Sequence, residues 1–141
     1  IFDNMGEVQN AVLDAANREY QGYIEKFMKG GKYPPYKASG MAYISFAREE
    51  KELFKLLFMR DRTNEVITEN REEIKPFIEL IMQNTGADEE RAYIFHLEMW
   101  VYVHGIAAMA ATSYLKLDEE LTSRILTDAY KGLEAALKGE I

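Results

Sequence analysis

Hydrophobic positions recur at helical spacing along the whole chain, and no stretch keeps the strict alternation that is typical of a strand. The pattern predicts an all-α fold, a helical bundle of about six helices. The predicted helices cover residues 4–29, 36–49, 53–59, 65–84, 89–115 and 118–138.

Glycine and proline mark the predicted boundaries. Gly30 and Gly31 end the first helix, and Pro34 and Pro35 prepare the second, because proline is tolerated in a first helical turn. Pro76 lies inside the fourth predicted helix, where the missing N–H predicts a kink or a restart.

The fifth predicted helix is apolar around nearly its whole circumference, with Asp88 as its N-cap. A helix of this kind is expected to be buried on all sides, so we predict that it forms the centre of the bundle. The last helix is predicted to open at Asp118, with Glu119 and Glu120 well placed in its first turn.

Length and composition narrow the possible functions. The 141 residues predict one domain, 1–141, and the absence of cysteine excludes disulfides and thiolate metal sites. The net charge of −7 predicts that this chain by itself repels a phosphate backbone. No continuous apolar run reaches the roughly 18–20 residues of a membrane span, so we expect a cytoplasmic protein without a membrane partner.

Catalytic and metal-binding patterns are missing from the sequence. His96 and His104 differ by about 80° around one helix and about 12 Å along it, so one metal ion cannot easily bind both. The chain has no Gly-x-Ser-x-Gly motif and no glycine-rich phosphate loop. We therefore expect no metal, no cofactor and no enzymatic activity, and an enzyme that uses one of the two histidines as a base is the most distant alternative.

The aromatic content points instead to a ligand pocket. His96, Trp100 and His104 lie four residues apart, and each joins an apolar body to a hydrogen-bonding tip, which suits a mostly hydrophobic cavity. Ordinary core packing explains the same residue types, and it is the expected role of about half of the aromatics on the earlier helices. The pocket candidates are Tyr20, Tyr23, Tyr43, Phe46, Phe54, Phe58, Met59, His96, Trp100 and His104.

Three stretches, in order along the chain, resemble the TetR family of transcriptional regulators. The opening "FDNMGEV" is similar to the seam where the helix-turn-helix domain ends and the connecting helix begins. The stretch "MAYISFAREEKELFKLLFM" is similar to the family's fifth and sixth helices. The stretch "MWVYVHGIAAMA" looks like the Trp-x-x-x-His-Gly signature of one subgroup of TetR-like C-terminal domains, carried by Trp100, His104 and Gly105.

The resemblance implies an effector-binding and dimerisation domain, with residues 1–8 as the seam to an absent N-terminal DNA-binding domain. It implies a homodimer that senses a small hydrophobic molecule and contacts DNA only through that absent domain. The last two helices of each protomer would form a four-helix bundle across a two-fold axis. The interface candidates are Ile106, Met109, Ala110, Leu121, Ile125, Ala129 and Leu133.

One alternative stays open from the sequence. A bundle rich in aromatic residues also suits a helical homodimeric protein-interaction module without small-molecule control. The effector, the operator, and the choice between repression and activation have no signature in this sequence.

Overall fold

A computed structural model describes residues 5–60 and 71–139 of the chain. These residues form six α-helices and no strand, which confirms the predicted all-α fold. The helices are α1 (Met5–Gly30), α2 (Pro35–Glu49), α3 (Lys51–Phe58), α4 (Arg71–Thr85), α5 (Glu89–Ala111) and α6 (Glu119–Leu137). The first four residues of the predicted seam, the predicted start of the first helix at residue 4 and the predicted start of the fourth helix lie outside the described residues.

The helix boundaries follow local chemistry. Helix α1 ends at Gly30, and Gly31 takes a φ of 66°, a conformation that glycine adopts without a steric penalty. Helix α2 begins at Pro35, one residue before the predicted start, and helix α4 is followed by Gly86 with a φ of 76°. Helix α4 continues through Pro76 as one element, so the helix does not restart at this proline.

Two N-caps are also confirmed. The Leu121 N–H donates to the Asp118 carboxylate at 2.8 Å, and the Arg91 N–H donates to the Asp88 carboxylate at 2.9 Å. Each cap satisfies one of the backbone N–H groups that a helix start leaves without a partner.

The chain divides into two compact units. One unit comprises residues 1–61 and 106–116, and its core is centred on α2, of which eight residues are buried. Phe46 on α2 and Phe54 on α3 have no exposed surface, and Ala16 is the buried residue of α1. The prediction of a single domain stays a prediction.

The other unit comprises residues 62–105 and 117–141. Its core contains Ile81 of α4, Phe95 and Met99 of α5, and Leu126 of α6, all of them buried. The Phe95 ring meets the Tyr130 ring of α6 edge to face, with 5.2 Å between the centroids.

Burial of α5 differs from the prediction. Ala92, Phe95, Met99 and Val103 are buried, whereas a second side of the helix is exposed. The exposed apolar residues of α5 are Ile94, Leu97, Trp100, Val101, Tyr102 and Met109. The prediction that α5 is buried on all sides is therefore wrong for the single chain, because the apolar pattern does not say whether the covering surface belongs to the same chain.

Candidate functional site

Six aromatic side chains from α1, α2 and α3 form one contact network, which we call the aromatic cluster. Its members are Tyr20, Tyr23, Tyr43, Phe46, Phe54 and Phe58. These are six of the ten predicted pocket residues, and the structure brings them together.

Tyr20 connects α1 to the rest of the cluster. Its ring centroid lies 5.9 Å from that of Tyr43, 5.3 Å from that of Phe46 and 5.2 Å from that of Phe58. Tyr23, one helical turn later, meets Phe46 edge to face at 5.5 Å. Aromatic pairs in such tilted and edge-on arrangements contribute about 0.5–1.5 kcal/mol beyond the area they bury.

The cluster has a closed side and an open side. Tyr43, Phe46 and Phe54 are buried, so they form the closed side. Tyr20, Tyr23 and Phe58 are half-buried, and Met59, directly after Phe58, is exposed. Tyr20 and Tyr23 of α1, Phe58 of α3 and the following Met59 therefore have surface that solvent reaches, whereas Phe54 of α3 has none.

Acidic side chains surround the open side at Tyr23. The Tyr23 hydroxyl donates a hydrogen bond to the Glu49 carboxylate, and Glu50 and Glu19 act on the same hydroxyl through their charges. Burial, the bond to Glu49 and these charges all raise the pKa of Tyr23, and burial raises the pKa of Tyr20 to about 12. Both phenols are neutral at physiological pH.

These three acids are not among the site residues predicted from the sequence. The spacing along the helices could have indicated them. Glu19 lies four residues before Tyr23 on α1, and Glu49 lies three residues after Phe46 on α2. Carboxylates at helix ends most often face solvent, so the spacing alone does not distinguish a site from a solvated surface.

The two histidines pack against different aromatic rings. His96 stacks on Phe77 of α4, with 5.6 Å between the ring centroids and 7° between the planes. His104 stacks on Trp100 within α5, at 5.0 Å and 10°. Burial lowers the pKa of both histidines, which favours the neutral imidazole.

The predicted interface residues are only partly covered. In the first unit, Met109 is exposed and Ile106 and Ala110 are half-buried. In the second unit, Leu121 is exposed and the other predicted interface residues of α6, which are Ile125, Ala129 and Leu133, are half-buried. The most exposed large apolar side chain on α5 is Val101, at 60% of its surface, and it is not among the predicted interface residues.

Two surface depressions lie elsewhere, and neither includes a predicted pocket residue. The larger, of about 450 Å³, runs along α1 and is lined by Asp14, Asn17, Arg18, Gln21, Gly22 and Glu25. The smaller, of about 250 Å³, lies beside Arg91 and the end of α6, whose Leu137 carbonyl accepts a hydrogen bond from the Arg91 guanidinium.

These features define a class of protein: an all-helical module with an aromatic cluster on one unit and an exposed apolar helix face on the other. The model of the family described as "Tetracyclin repressor-like, C-terminal domain" matches residues 36–130, which are 95 of the 141 residues. The chain therefore belongs to this family of TetR-like C-terminal domains. Comparison with curated proteins and with solved structures gave no match.

Family membership gives the general role of the chain. TetR-like C-terminal domains are regulatory domains that generally bind small-molecule effectors and dimerise. The family is typically not enzymatic.

One finding bears on the expected absence of a membrane partner. Helix α5 is long and apolar enough to cross a membrane by length and composition, and it is the one such helix in the described part of the chain. Its continuous apolar run is shorter than a membrane span, because His104 and Gly105 interrupt it, but its mean hydropathy over 18 residues is 1.2. Core helices of soluble proteins have the same properties, and TetR-like regulators are soluble.

Proposed function

We propose that this chain is the effector-binding and dimerisation domain of a cytoplasmic TetR-like transcriptional regulator. It senses a small hydrophobic molecule and transmits the binding event to a DNA-binding module joined ahead of α1. The observation that carries the proposal is the aromatic cluster, in which half-buried rings of α1 pack on buried rings of α2 and α3.

The aromatic cluster couples the binding of a ligand to the position of α1. A molecule that inserts beside Tyr20 and Tyr23 has to displace their contacts with Phe46, which join α1 to α2. The molecule changes the position of α1 only if it binds the two arrangements with different affinities. The position of α1 would then set the separation of two DNA-binding modules in a dimer.

The exposed side of α5 supports the dimer. Trp100 and Val101 expose 46% and 60% of their surfaces, although both are large apolar residues. An exposed apolar patch of this kind marks an interaction surface, and a second copy of the chain is the partner that we propose. Leu121 on α6 is also exposed, in agreement with a bundle built from the last two helices.

A panel of small hydrophobic molecules tests the sensing function by thermal unfolding. We expect at least one member to raise the unfolding temperature of the chain. The Tyr20→Leu variant should lose this response, because it removes the ring that joins α1 to the cluster. Tyr114→Leu is the matched control, since Tyr114 is 77% exposed and should leave the response unchanged.

The second candidate function is a helical homodimeric protein-interaction module without small-molecule control. The exposed apolar side of α5 favours it, because a docking surface needs no ligand site. A stable dimer whose unfolding temperature responds to no molecule of the panel would favour this candidate over sensing.

A further inference from the structure

Residues 26–37, which we call the lysine turn, carry four positive charges and no negative one. The segment runs from the end of α1 through the connection to the first turn of α2, and its lysines are Lys26, Lys29, Lys32 and Lys37. The chain has 17 basic and 24 acidic residues, so the rest of it has 13 basic residues against all 24 acidic ones. A strongly basic segment therefore lies within an acidic chain.

Two ammonium groups of the lysine turn converge on one aromatic ring. The ammonium of Lys32 lies 5.4 Å from the centroid of the Tyr33 ring, and that of Lys37 lies 5.2 Å from it. Phe27 stacks on the same ring, with 6.3 Å between the centroids and 16° between the planes. The two positive charges are thus held near each other although they repel, and a negative group from outside the chain would offset this repulsion.

The helices themselves do not account for all of these charges. Lys29 is favourably placed in the last turn of α1, and its ammonium lies 3.8 Å from the Glu25 carboxylate. Both side chains of this ion pair are mostly exposed, so the pair contributes little and leaves Lys29 accessible. Lys37 lies in the first turn of α2, where the helix dipole disfavours a positive charge.

The lysine turn forms the tip of a helix hairpin. Helices α1 and α2 run antiparallel, since Phe46, near the end of α2, contacts Tyr20 and Tyr23, which lie at least two turns before the end of α1. Three of the four lysines at the tip are exposed, and Met28 among them exposes 37% of its surface. A convex tip with exposed cations and an apolar side chain suits a flat anionic surface better than it suits a ligand that needs a groove.

The residue types favour lipid headgroups over nucleic acid. All four charges are lysines, which are compact and strongly hydrated, whereas arginine supplies the planar fork that recognises phosphates and bases in two-pronged contacts. The Tyr33 ring already contacts Phe27 and two ammonium groups, so it is poorly placed to stack on a base. Lysines near an anionic bilayer contribute without such directional contacts.

We propose that the lysine turn binds the chain reversibly to the surface of an anionic lipid bilayer, with the four lysines at the headgroup phosphates and Met28 at the apolar boundary. The proposal goes beyond the sensing function and does not rest on it. The expected absence of a membrane partner concerned a membrane-spanning segment, and a surface contact needs none. Lys26 lies about 30 Å along α1 from Met5, so a DNA-binding module ahead of α1 would lie at the far end of this helix.

Sedimentation with lipid vesicles tests the contact. The chain is mixed at low salt with vesicles of phosphatidylcholine and phosphatidylglycerol in equal amounts, and separately with vesicles of phosphatidylcholine alone. We expect binding to the anionic vesicles only, and release from them at high salt, which screens exposed charges. The double variant Lys26→Gln with Lys29→Gln should weaken this binding by about 25-fold, because each lysine near an anionic surface contributes about fivefold.

Lys75→Gln with Lys131→Gln is the matched control. It removes two exposed lysines of α4 and α6 and changes the net charge by the same amount. The control should bind the anionic vesicles as the original chain does. Equal losses in the two double variants would overturn the proposal, since only the net charge of the chain would then matter. Thermal unfolding of both variants should match that of the original chain, because all four substituted lysines are exposed.

Other outcomes assign the lysine turn differently. Equal binding to neutral and anionic vesicles would overturn the proposal in favour of adsorption through an apolar surface, and binding to neither would also overturn it. Equally tight binding to a DNA duplex or to polyglutamate, lost in the lysine turn variant, would assign the segment to nucleic acid or to an acidic protein. Displacement from the vesicles by free glycerol phosphate would assign it to a soluble phosphate. The sensing function is decided separately, by the thermal-unfolding panel and Tyr20→Leu.

Discussion

The indole of Trp100 and the imidazole of His104 lie face to face on α5, with 5.0 Å between the ring centroids and 10° between the planes. Each ring covers one side of the other, one helical turn apart. The stack accounts for part of the burial that lowers the pKa of His104. On α5 the other histidine, His96, is covered in the same manner by Phe77 of α4.

The first prediction concerns pH. Because both histidines have a lowered pKa in the folded chain, the unfolded chain takes up protons first as the pH falls. The free energy of unfolding should be fully retained above about pH 6.5, the unperturbed histidine value, and should decrease as the pH falls below it. Urea denaturation at pH 7.5, 6.5 and 5.5 measures this loss.

A variant with His96→Gln and His104→Gln is the control for this prediction. Its free energy of unfolding should change less over the same pH interval, because glutamine takes up no proton. An equal loss in the variant and in the original chain would assign the pH dependence to other groups.

The second prediction concerns the exposed side of α5. Val101→Glu should dissociate the proposed dimer and raise its dissociation constant by at least about a hundredfold, because a carboxylate at the interface loses its hydration. The single chain should tolerate the change, since Val101 is already exposed there. Light scattering across a dilution series measures the mass.

Gln21→Glu serves as the charge-matched control, because Gln21 is exposed on α1. It should leave the dimer intact. Retention of the dimer in Val101→Glu would show that the interface lies on another surface.

The third prediction concerns the start of α6. Asp118→Ala should lower the free energy of unfolding by about 1 kcal/mol, because it removes the acceptor for the Leu121 N–H. Asp118→Asn should cost much less, since the amide oxygen accepts the same hydrogen bond. Chemical denaturation of the two variants separates the cap from the negative charge, and equal losses would assign the effect to the charge.

The fourth prediction concerns the residue that follows the end of α5. Ser113 has a φ of 60°, and the Tyr114 N–H donates to the Met109 carbonyl at 2.9 Å, the arrangement of a Schellman cap. Ser113→Gly should raise the free energy of unfolding by about 1 kcal/mol, because glycine adopts this conformation without strain.

Ser113 also accepts a hydrogen bond from the Lys51 ammonium at 2.6 Å, so the substitution removes two features at once. Ser113→Ala separates them, because alanine loses this exposed hydrogen bond and keeps the strain. The alanine variant should be no more stable than the original chain. Stabilisation by alanine equal to that by glycine would show that backbone strain at this position is not the cause.

Local rules predicted most of the helices from the sequence. The end of α1 at Gly30, the start of α2 at Pro35 and the cap at Asp118 each depend on one or two neighbouring residues. The start of α3 was predicted at residue 53 and lies at Lys51, because apolar spacing does not register the charged residues that begin a helix. The end of α5 was predicted at residue 115 and lies at Ala111, before the left-handed Ser113.

Long-range relationships were harder to predict. The sequence indicated aromatic residues on α1, α2 and α3, but it does not say which of them are buried and which form an edge. The carboxylates around Tyr23 come from two helices, and only the packing of α1 on α2 brings Glu49 to that hydroxyl. The exposed side of α5 could not be predicted for a similar reason. The sequence pattern of apolar residues is the same whether their own chain or a partner covers them.

Helix α1 is about 39 Å long for its 26 residues, yet Ala16 is its buried residue and most of its other side chains face solvent. One face of α1 packs on the neighbouring helices, and half-buried residues follow this face from Val8 through Tyr20 and Tyr23 to Phe27. Amide protons of α1 should consequently exchange with deuterated solvent sooner than those of α2. A small molecule that separated Tyr20 and Tyr23 from Phe46 would therefore act on the one face by which the whole helix is held.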